Sequence, residues 1–327
     1  MGEMRLIEAV RQGLREELAA DSSVFLIGQD IGVNGGVFRV TDGLLDEFGP
    51  ERVIDSPLAE SGMVGVAIGA AMNGLRPVVE VQFADFIFPA FNQIVSEAAR
   101  MYYRTNGDYS VPIVIRAPYG GGVRGGLYHS QSVEAYFAHV PGLKVVVPSN
   151  PHDAKGLLKA AIRDNNPVLF FEHKLAYNTV QGAVPEGNYT VPIGKAAVRR
   201  EGQQLSLISY GLSVHHCLEA AETLAAEGIS CEVVDLRSVS PLDTKTLLES
   251  VKKTGRVCIV HEDNLTGGVG AEVAAIVAKD AFEYLDAPVQ RVAALDVPSF
   301  PYNPTLEDAL LPGPPDIISA ARELAAY

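Results

Sequence analysis

Short apolar runs rich in β-branched residues alternate with longer amphipathic stretches along most of the chain. The runs "VFLIG" (24–28), "PVVEVQF" (77–83), "VPIVIRA" (111–117), "LKVVVP" (143–148) and "PVLFFEH" (167–173) predict strands. They are continuous rather than alternating, which is the pattern of strands covered on both faces in a mostly parallel sheet. Helical spacing lies between them at 61–73, 89–104 and 151–163, and the opening "MRLIEAVRQGLREELAAD" is an amphipathic helix. The third of these has a readable start. Asn150 can cap it, Pro151 suits its first turn, and Asp153 complements its dipole. From 178 to 204 the pattern lapses into turn residues and charges with no sustained period. A second strand–helix series then runs "LSLISYG", 214–227, "SCEVVDL", 244–252, "RVCIVHE", 271–282, "VQRVAAL", and a closing helix at 316–326. The expectation is an α/β protein of two domains, 1–185 and 204–327, joined by a linker at 186–203.

Composition narrows the function. The length, 327 residues, and the 47% apolar content allow a sizeable core in each domain. A net charge of −14 without any basic run repels phosphate backbones, so nucleic acid is not an expected partner. The most apolar window, "GMVGVAIGAAM" (62–72), is about half the ~20 residues a membrane span needs, and no membrane partner is expected. The N-terminus reads as a helix containing acidic residues, not as a signal or transit segment. The three cysteines, Cys217, Cys231 and Cys258, are widely spaced and form no CxxC, which fits buried thiols in a reducing, cytoplasmic setting.

Two stretches carry candidate chemistry. In "GGGVRGGLYHSQS" (120–132), five glycines within seven residues precede a tyrosine, a histidine and two serines. Gly120, Gly122 and Gly125 satisfy GxGxxG after a strand. A dinucleotide site, however, requires a helix opening on the third glycine, and "GLYHSQS" follows instead. The remaining readings are a surface turn and a glycine-rich wall presenting His129 at the carboxyl end of a strand, where open α/β sheets bind ligands. The second stretch, "DSPLAESGMVGVAIGAA", places Glu60 at the start of an unusually apolar helix. A carboxylate there complements the helix dipole, and it could equally be a functional acid. Gly65 and Gly69 share one face of that helix and allow a second backbone to come close, from this chain or a partner. The other histidines lack metal-like spacing, although His261, in "VHEDN", ends a predicted strand. Neither a GxSxG elbow nor a P-loop occurs.

Taken in order, "GQDIGVNGGVFRVTDGL", "DSPLAESGMVG", "FADFIFPAFNQI", "GGGVRGGLYHSQS", "PGLKVVVPSNPHDAKGLLKAAIRDNNPV" and "VVDLRSVSPLD" cover essentially the whole chain. Together they resemble the β subunit of the thiamine-diphosphate-dependent 2-oxoacid dehydrogenases. This is the decarboxylating component of the pyruvate and branched-chain complexes, and acetoin dehydrogenase is a close relative. The resemblance implies a pyrimidine-binding, parallel-sheet domain followed by a transketolase C-terminal-type α/β domain. It implies oxidative decarboxylation of a 2-oxoacid with transfer of the acyl group to a lipoylated dihydrolipoyl acyltransferase. A GDG motif, which in that family holds magnesium and the diphosphate, is missing from this sequence. The resemblance therefore implies an α subunit that carries it, in an assembly of two α and two β chains. By motif, Glu60 corresponds to the glutamate that hydrogen-bonds the aminopyrimidine and favours its imino form. Phe86 corresponds to the aromatic residue packed on that ring, with Gln82 at the same strand end. His129 corresponds to the histidine facing the reacting carbon. "AIRDNN" resembles a structural potassium loop to which Ala161, Ile162, Asp164 and Asn166 contribute, with Ile113 on the neighbouring strand; hard oxygen ligands suit that ion. "HEDNLTGGVGAE" leans toward the branched-chain and acetoin members.

Overall fold

The computed structural model describes residues 2–327. These divide into two compact units, one of 2–119 and 136–193 and the other of 120–135 and 194–327.

In the first unit the apolar runs form a parallel sheet. In spatial order its strands are Lys144–Val146, Val168–His173, Val114–Tyr119, Arg76–Glu80, Val24–Gly28 and Val53–Asp55. Three of the interior strands, Val24–Gly28, Val114–Tyr119 and Val168–His173, are buried at every position, which is why their sequences do not alternate. Helix Leu6–Ala20 packs on helix Pro151–Arg163, with Glu16 and Glu17 pairing to Lys155, Lys159 and Arg163. The expected cap is present: Asn150 Oδ1 accepts from the Asp153 amide at 3.0 Å, with Pro151 in the first turn.

Three parts of this unit differ from the pattern. Residues 89–104, spaced like one helix, belong to a 3₁₀ segment Ala84–Ala90, a π segment Gln93–Ala98 and an α turn Ala99–Arg104. Pro89 has no amide to continue an α ladder, and the chain tightens before it and widens after it. Gly2–Arg5 and Gln181–Val184 pair as an antiparallel ribbon; the second falls in the stretch without a sustained period.

The second unit has its own sheet, in the order Gln290–Ala294, Val257–Asn264, Leu205–Ser209, Cys231–Asp235 and Ala197–Arg200, with only the last strand antiparallel. Successive side chains of a strand point to opposite faces. Leu205 and Leu207 accordingly join the core made with helices Ser213–Ala226 and Pro314–Ala325. Ser206, between them, bonds Ser250 and Thr254 of helix Thr244–Thr254 on the other face, each at 2.7 Å. Cys217, Cys231 and Cys258 are all fully buried in or beside this core, and burial pushes Cys258 up to about 12. No described helix is long and apolar enough to cross a membrane.

Candidate active site

Ligands of open parallel sheets lie beyond the carboxyl ends of the strands. In the first unit, register places Gly28 beside both Asp55 and Glu80, so three adjacent strands finish level. Just past these ends come Asp30, Gln82 and Glu60. Asp30 adopts a left-handed backbone (φ 58°), and its carboxylate accepts from Gln82 Nε2 at 3.3 Å. Asp55 accepts from the amides of Gly32 and Val33 at 2.6 and 3.1 Å, which fixes the loop that follows Asp30. Phe86 sits in the 3₁₀ segment after Gln82, edge-on to Phe83 with ring centres 5.5 Å apart. That segment packs against helix Glu60–Met72.

Glu60 opens this helix half-buried, with its carboxylate bound to no hydrogen-bond or ion-pair partner among the described residues. A free acceptor at a helix N-terminus, on an element packed against a partly buried aromatic ring, fits a planar heterocycle that offers a ring N–H. The helix is apolar all round. It buries Met63, Val64, Ala67, Ile68 and Ala71, yet it leaves Gly62, Gly65, Val66 and Gly69 exposed, with Val66 62% accessible. Apart from their chain neighbours and the helix's own backbone, no atom of the described residues lies within 4 Å of where a side chain at Gly65 or Gly69 would begin.

Behind the strand ends lies an ionic group that the sequence did not announce. Arg116, 1% exposed, donates to both oxygens of Glu172 at 2.7 and 2.6 Å and to Glu80 at 2.5 Å. Tyr177 donates to Glu172 as well. Only one of the three strand positions, Arg116, is cationic, so the surplus carboxylate is costly. Burial pushes the Glu80 carboxyl above its ordinary value.

The residues expected at a potassium loop lie together at the end of helix Pro151–Arg163 and on the strands beside it. The carbonyls of Ile162 and Asp164 accept from Arg76 Nη1 at 3.0 and 2.9 Å. The Ala161 carbonyl accepts from the Asp164 amide at 3.2 Å, and that of Ile113 from the Val168 amide at 2.9 Å. The Asp164 carboxylate pairs with Lys144 and takes the Asn166 amide. Each carbonyl retains a second lone pair, so these bonds do not exhaust its acceptor capacity. Among the described residues no group of three His, Cys, Asp or Glu side chains gathers to hold a metal ion.

His129 belongs to the second unit, in the loop 120–135. Gly126 is left-handed (φ 66°) at the start of the turn Gly126–Tyr128, and a Cβ there would clash with the Tyr302 ring, its nearest atom being Cε1. His129 follows that turn, half-buried. Only a single 3₁₀ turn opens after Gly125, and the next α-helix begins at Glu134. Glu134, 0% exposed, receives the Tyr210 hydroxyl at 2.9 Å. Burial, with Asp263 close by, pushes Glu134 up to about 8. Burial pushes Asp263 up to about 6. His261 lies inside strand Val257–Asn264 rather than at its end, fully buried. Its Nδ1 is 3.1 Å from the Asp263 carbonyl, and burial holds it down to about 4, so it is neutral at pH 7.

Two domain families match the chain: transketolase, pyrimidine binding domain over residues 2–180, and transketolase, C-terminal domain over 194–317. The 2-oxoisovalerate dehydrogenase subunit beta of Bacillus subtilis (strain 168) is 56% identical over 327 residues, covering all of both chains. The pyruvate dehydrogenase E1 component subunit beta of the same organism is 48% identical over the same extent, and that of Staphylococcus aureus (strain Mu50 / ATCC 700699) 47%. Among solved structures, a split gene transketolase described as an inactive beta4 tetramer superposes with a TM-score of 0.81. It is 25% identical, with 99% of each chain covered.

Proposed function

The chain belongs to the β subunits of the thiamine-diphosphate-dependent 2-oxoacid dehydrogenases, and from that premise we propose that it works with an α subunit on branched-chain 2-oxoacids. The observation that carries the assignment of chemistry is Glu60: a carboxylate with no hydrogen-bond or ion-pair partner among the described residues, at the N-terminus of the helix beyond the strand ends of a pyrimidine-binding domain. Bound thiamine diphosphate supplies the electron sink that decarboxylation of a 2-oxoacid requires. Glu60 holds a proton at the pyrimidine ring nitrogen, and Phe86 and Gln82 orient that ring. His129 donates a hydrogen bond to the substrate or to the incoming lipoyl acceptor. Magnesium and the diphosphate fall to the α subunit, since the GDG motif is missing here. The acyl acceptor is the lipoyl group of a dihydrolipoyl acyltransferase.

Assembly as two α and two β chains is supported by the bare face of helix Glu60–Met72. A helix apolar on every side is ordinarily covered on every side. The branched-chain preference rests on 56% identity to the 2-oxoisovalerate relative against 48% and 47% to the pyruvate relatives. The test is turnover of the α–β complex on a substrate panel. We expect kcat/KM for 2-oxoisovalerate to exceed that for pyruvate by about tenfold or more, a difference of ~1.4 kcal/mol. A preference for pyruvate, or for acetoin, would overturn the substrate assignment.

We further propose that potassium binds the carbonyls of Ile113, Ala161, Ile162 and Asp164, with Asn166. Exchanging potassium for tetramethylammonium should lower the melting temperature of the chain by a few degrees; an unchanged value rejects the site.

A further inference from the structure

Residues 120–135 fall inside the pyrimidine-domain match in sequence but pack with the second unit. Gly120, Gly122, Arg124 and Gly126 are all left-handed. Bonds within the loop include the Gly120 amide on the Gln131 carbonyl at 3.1 Å, the His129 amide on Gly126 at 3.4 Å, and Gln131 Nε2 on Leu127 at 3.2 Å. Ordering a backbone costs conformational entropy at every residue, and anchors outside the loop offset part of that cost.

Two carboxylates from distant parts of the second unit provide them. Glu262, near the end of strand Val257–Asn264, accepts from the Gly121 amide at 2.5 Å and, with the same oxygen, from Ser132 Oγ at 3.4 Å. It thereby ties both stems of the loop to one atom. Glu307, on helix Pro304–Leu310 and 0% exposed, accepts the Gly122 amide at 3.0 Å through Oε1 and Arg124 Nη1 at 2.6 Å through Oε2. Arg124 reaches on to Asp308 at 2.7 Å. Charge-assisted bonds to backbone amides are among the stronger anchors a loop can have.

We propose that Glu262 and Glu307 are positioning residues for His129: they hold the glycine loop in the one shape that presents the imidazole, without touching substrate. The proposal rests on the reading of His129 given above. A buried acid at 307 has no other evident purpose, since its partners are the loop and Arg124.

The test uses the α–β complex carrying Glu262→Ala, Glu307→Ala, Glu307→Gln, Arg124→Met or His129→Ala, alone and in pairs with His129→Ala. Decarboxylation is read with ferricyanide as oxidant, acyl transfer with a lipoylated domain, and loop order by hydrogen exchange of the 120–133 peptide without cofactor. We expect Glu262→Ala and Glu307→Ala to lower acyl transfer by about the same factor as His129→Ala, ~10-fold or more, with KM for the 2-oxoacid changed less than ~3-fold. Exchange of the peptide should rise ~10-fold, and pairing either variant with His129→Ala should add no further loss. Glu307→Gln keeps an acceptor for Gly122 and should recover most of the transfer. Arg124→Met alters only a part-exposed side chain, so it reads the same anchor should Glu307→Ala fail to fold, and it should raise exchange of the peptide in the same direction. Unchanged exchange, or losses that add to that of His129→Ala, would overturn the positioning role. Normal transfer by His129→Ala would instead overturn the reading of His129 on which it rests.

Discussion

Glu60 and Glu134 are both acids at the first position of a helix, and the chain puts them to opposite uses. Glu60 is half-buried and has no hydrogen-bond or ion-pair partner among the described residues, which is what suits it to the ligand role proposed above. Glu134 is sealed inside the second unit with Tyr210, Asp263 and Glu262 around it, and it stays protonated up to about pH 8. In the unfolded chain the same group releases its proton near its ordinary 4.5. Over that window the unfolded state binds fewer protons, so the stability contributed by Glu134 falls as pH rises. Asp263 behaves likewise between 3.8 and about 6. His261 opposes them: neutral in the fold and protonated when unfolded, it adds stability as pH climbs from about 4 to 6.5. Of the three, only Glu134 still titrates above 6.5. Thermal stability should therefore decline between pH 6.5 and 8, and Glu134→Gln should remove most of that decline. Calorimetric melting at both ends of the range checks it; a variant that loses as much as the parent would show that Glu134 is not the group responsible.

Elements follow from pattern wherever the pattern is local. The parallel strands were legible because burial on both faces demands continuous apolar runs, and the start of helix Pro151–Arg163 was legible because its cap, proline and acid sit within four residues. What sequence missed is set by partners far along the chain. Strand Gln181–Val184 exists by pairing with Gly2–Arg5, and nothing near it marks a strand. Arg116, Glu80 and Glu172 meet only because three strands lie side by side. Of the candidate site, Glu60, Gln82 and Phe86 were legible as one motif after another beyond the strand ends of a single unit. Glu262 and Glu307 were hidden by separations of 141 and 185 residues from the amides they hold, although "VHEDN" drew notice through its histidine. Helix Glu60–Met72 was legible as apolar, but only the structure left Gly65 and Gly69 uncovered by this chain. That face supports an element-level prediction. Gly69→Leu should raise intrinsic helix stability by up to about 1 kcal/mol, so the chain alone should melt no lower. The added side chain should nevertheless weaken association with the partner chains by tenfold or more. Sedimentation of the variant beside the parent decides it, and unweakened assembly would place the contact elsewhere.

At the scale of the whole molecule, the chain brings a pyrimidine-binding domain and a transketolase C-terminal domain; Glu60 and the histidine loop both fall in the first by sequence, and the loop packs with the second unit. In the function proposed above, Glu60 is part of half a site, which an α subunit would complete by bringing magnesium and the diphosphate. Calorimetric titration of thiamine diphosphate with magnesium into the chain alone, the α subunit alone and the complex tests it directly. Saturable binding and 2-oxoacid turnover are expected of the complex only, with turnover reduced at least ~100-fold by Glu60→Gln while the complex and its melting temperature persist. Tight binding and turnover by this chain alone, or near-normal turnover of the Glu60→Gln complex, would contradict it.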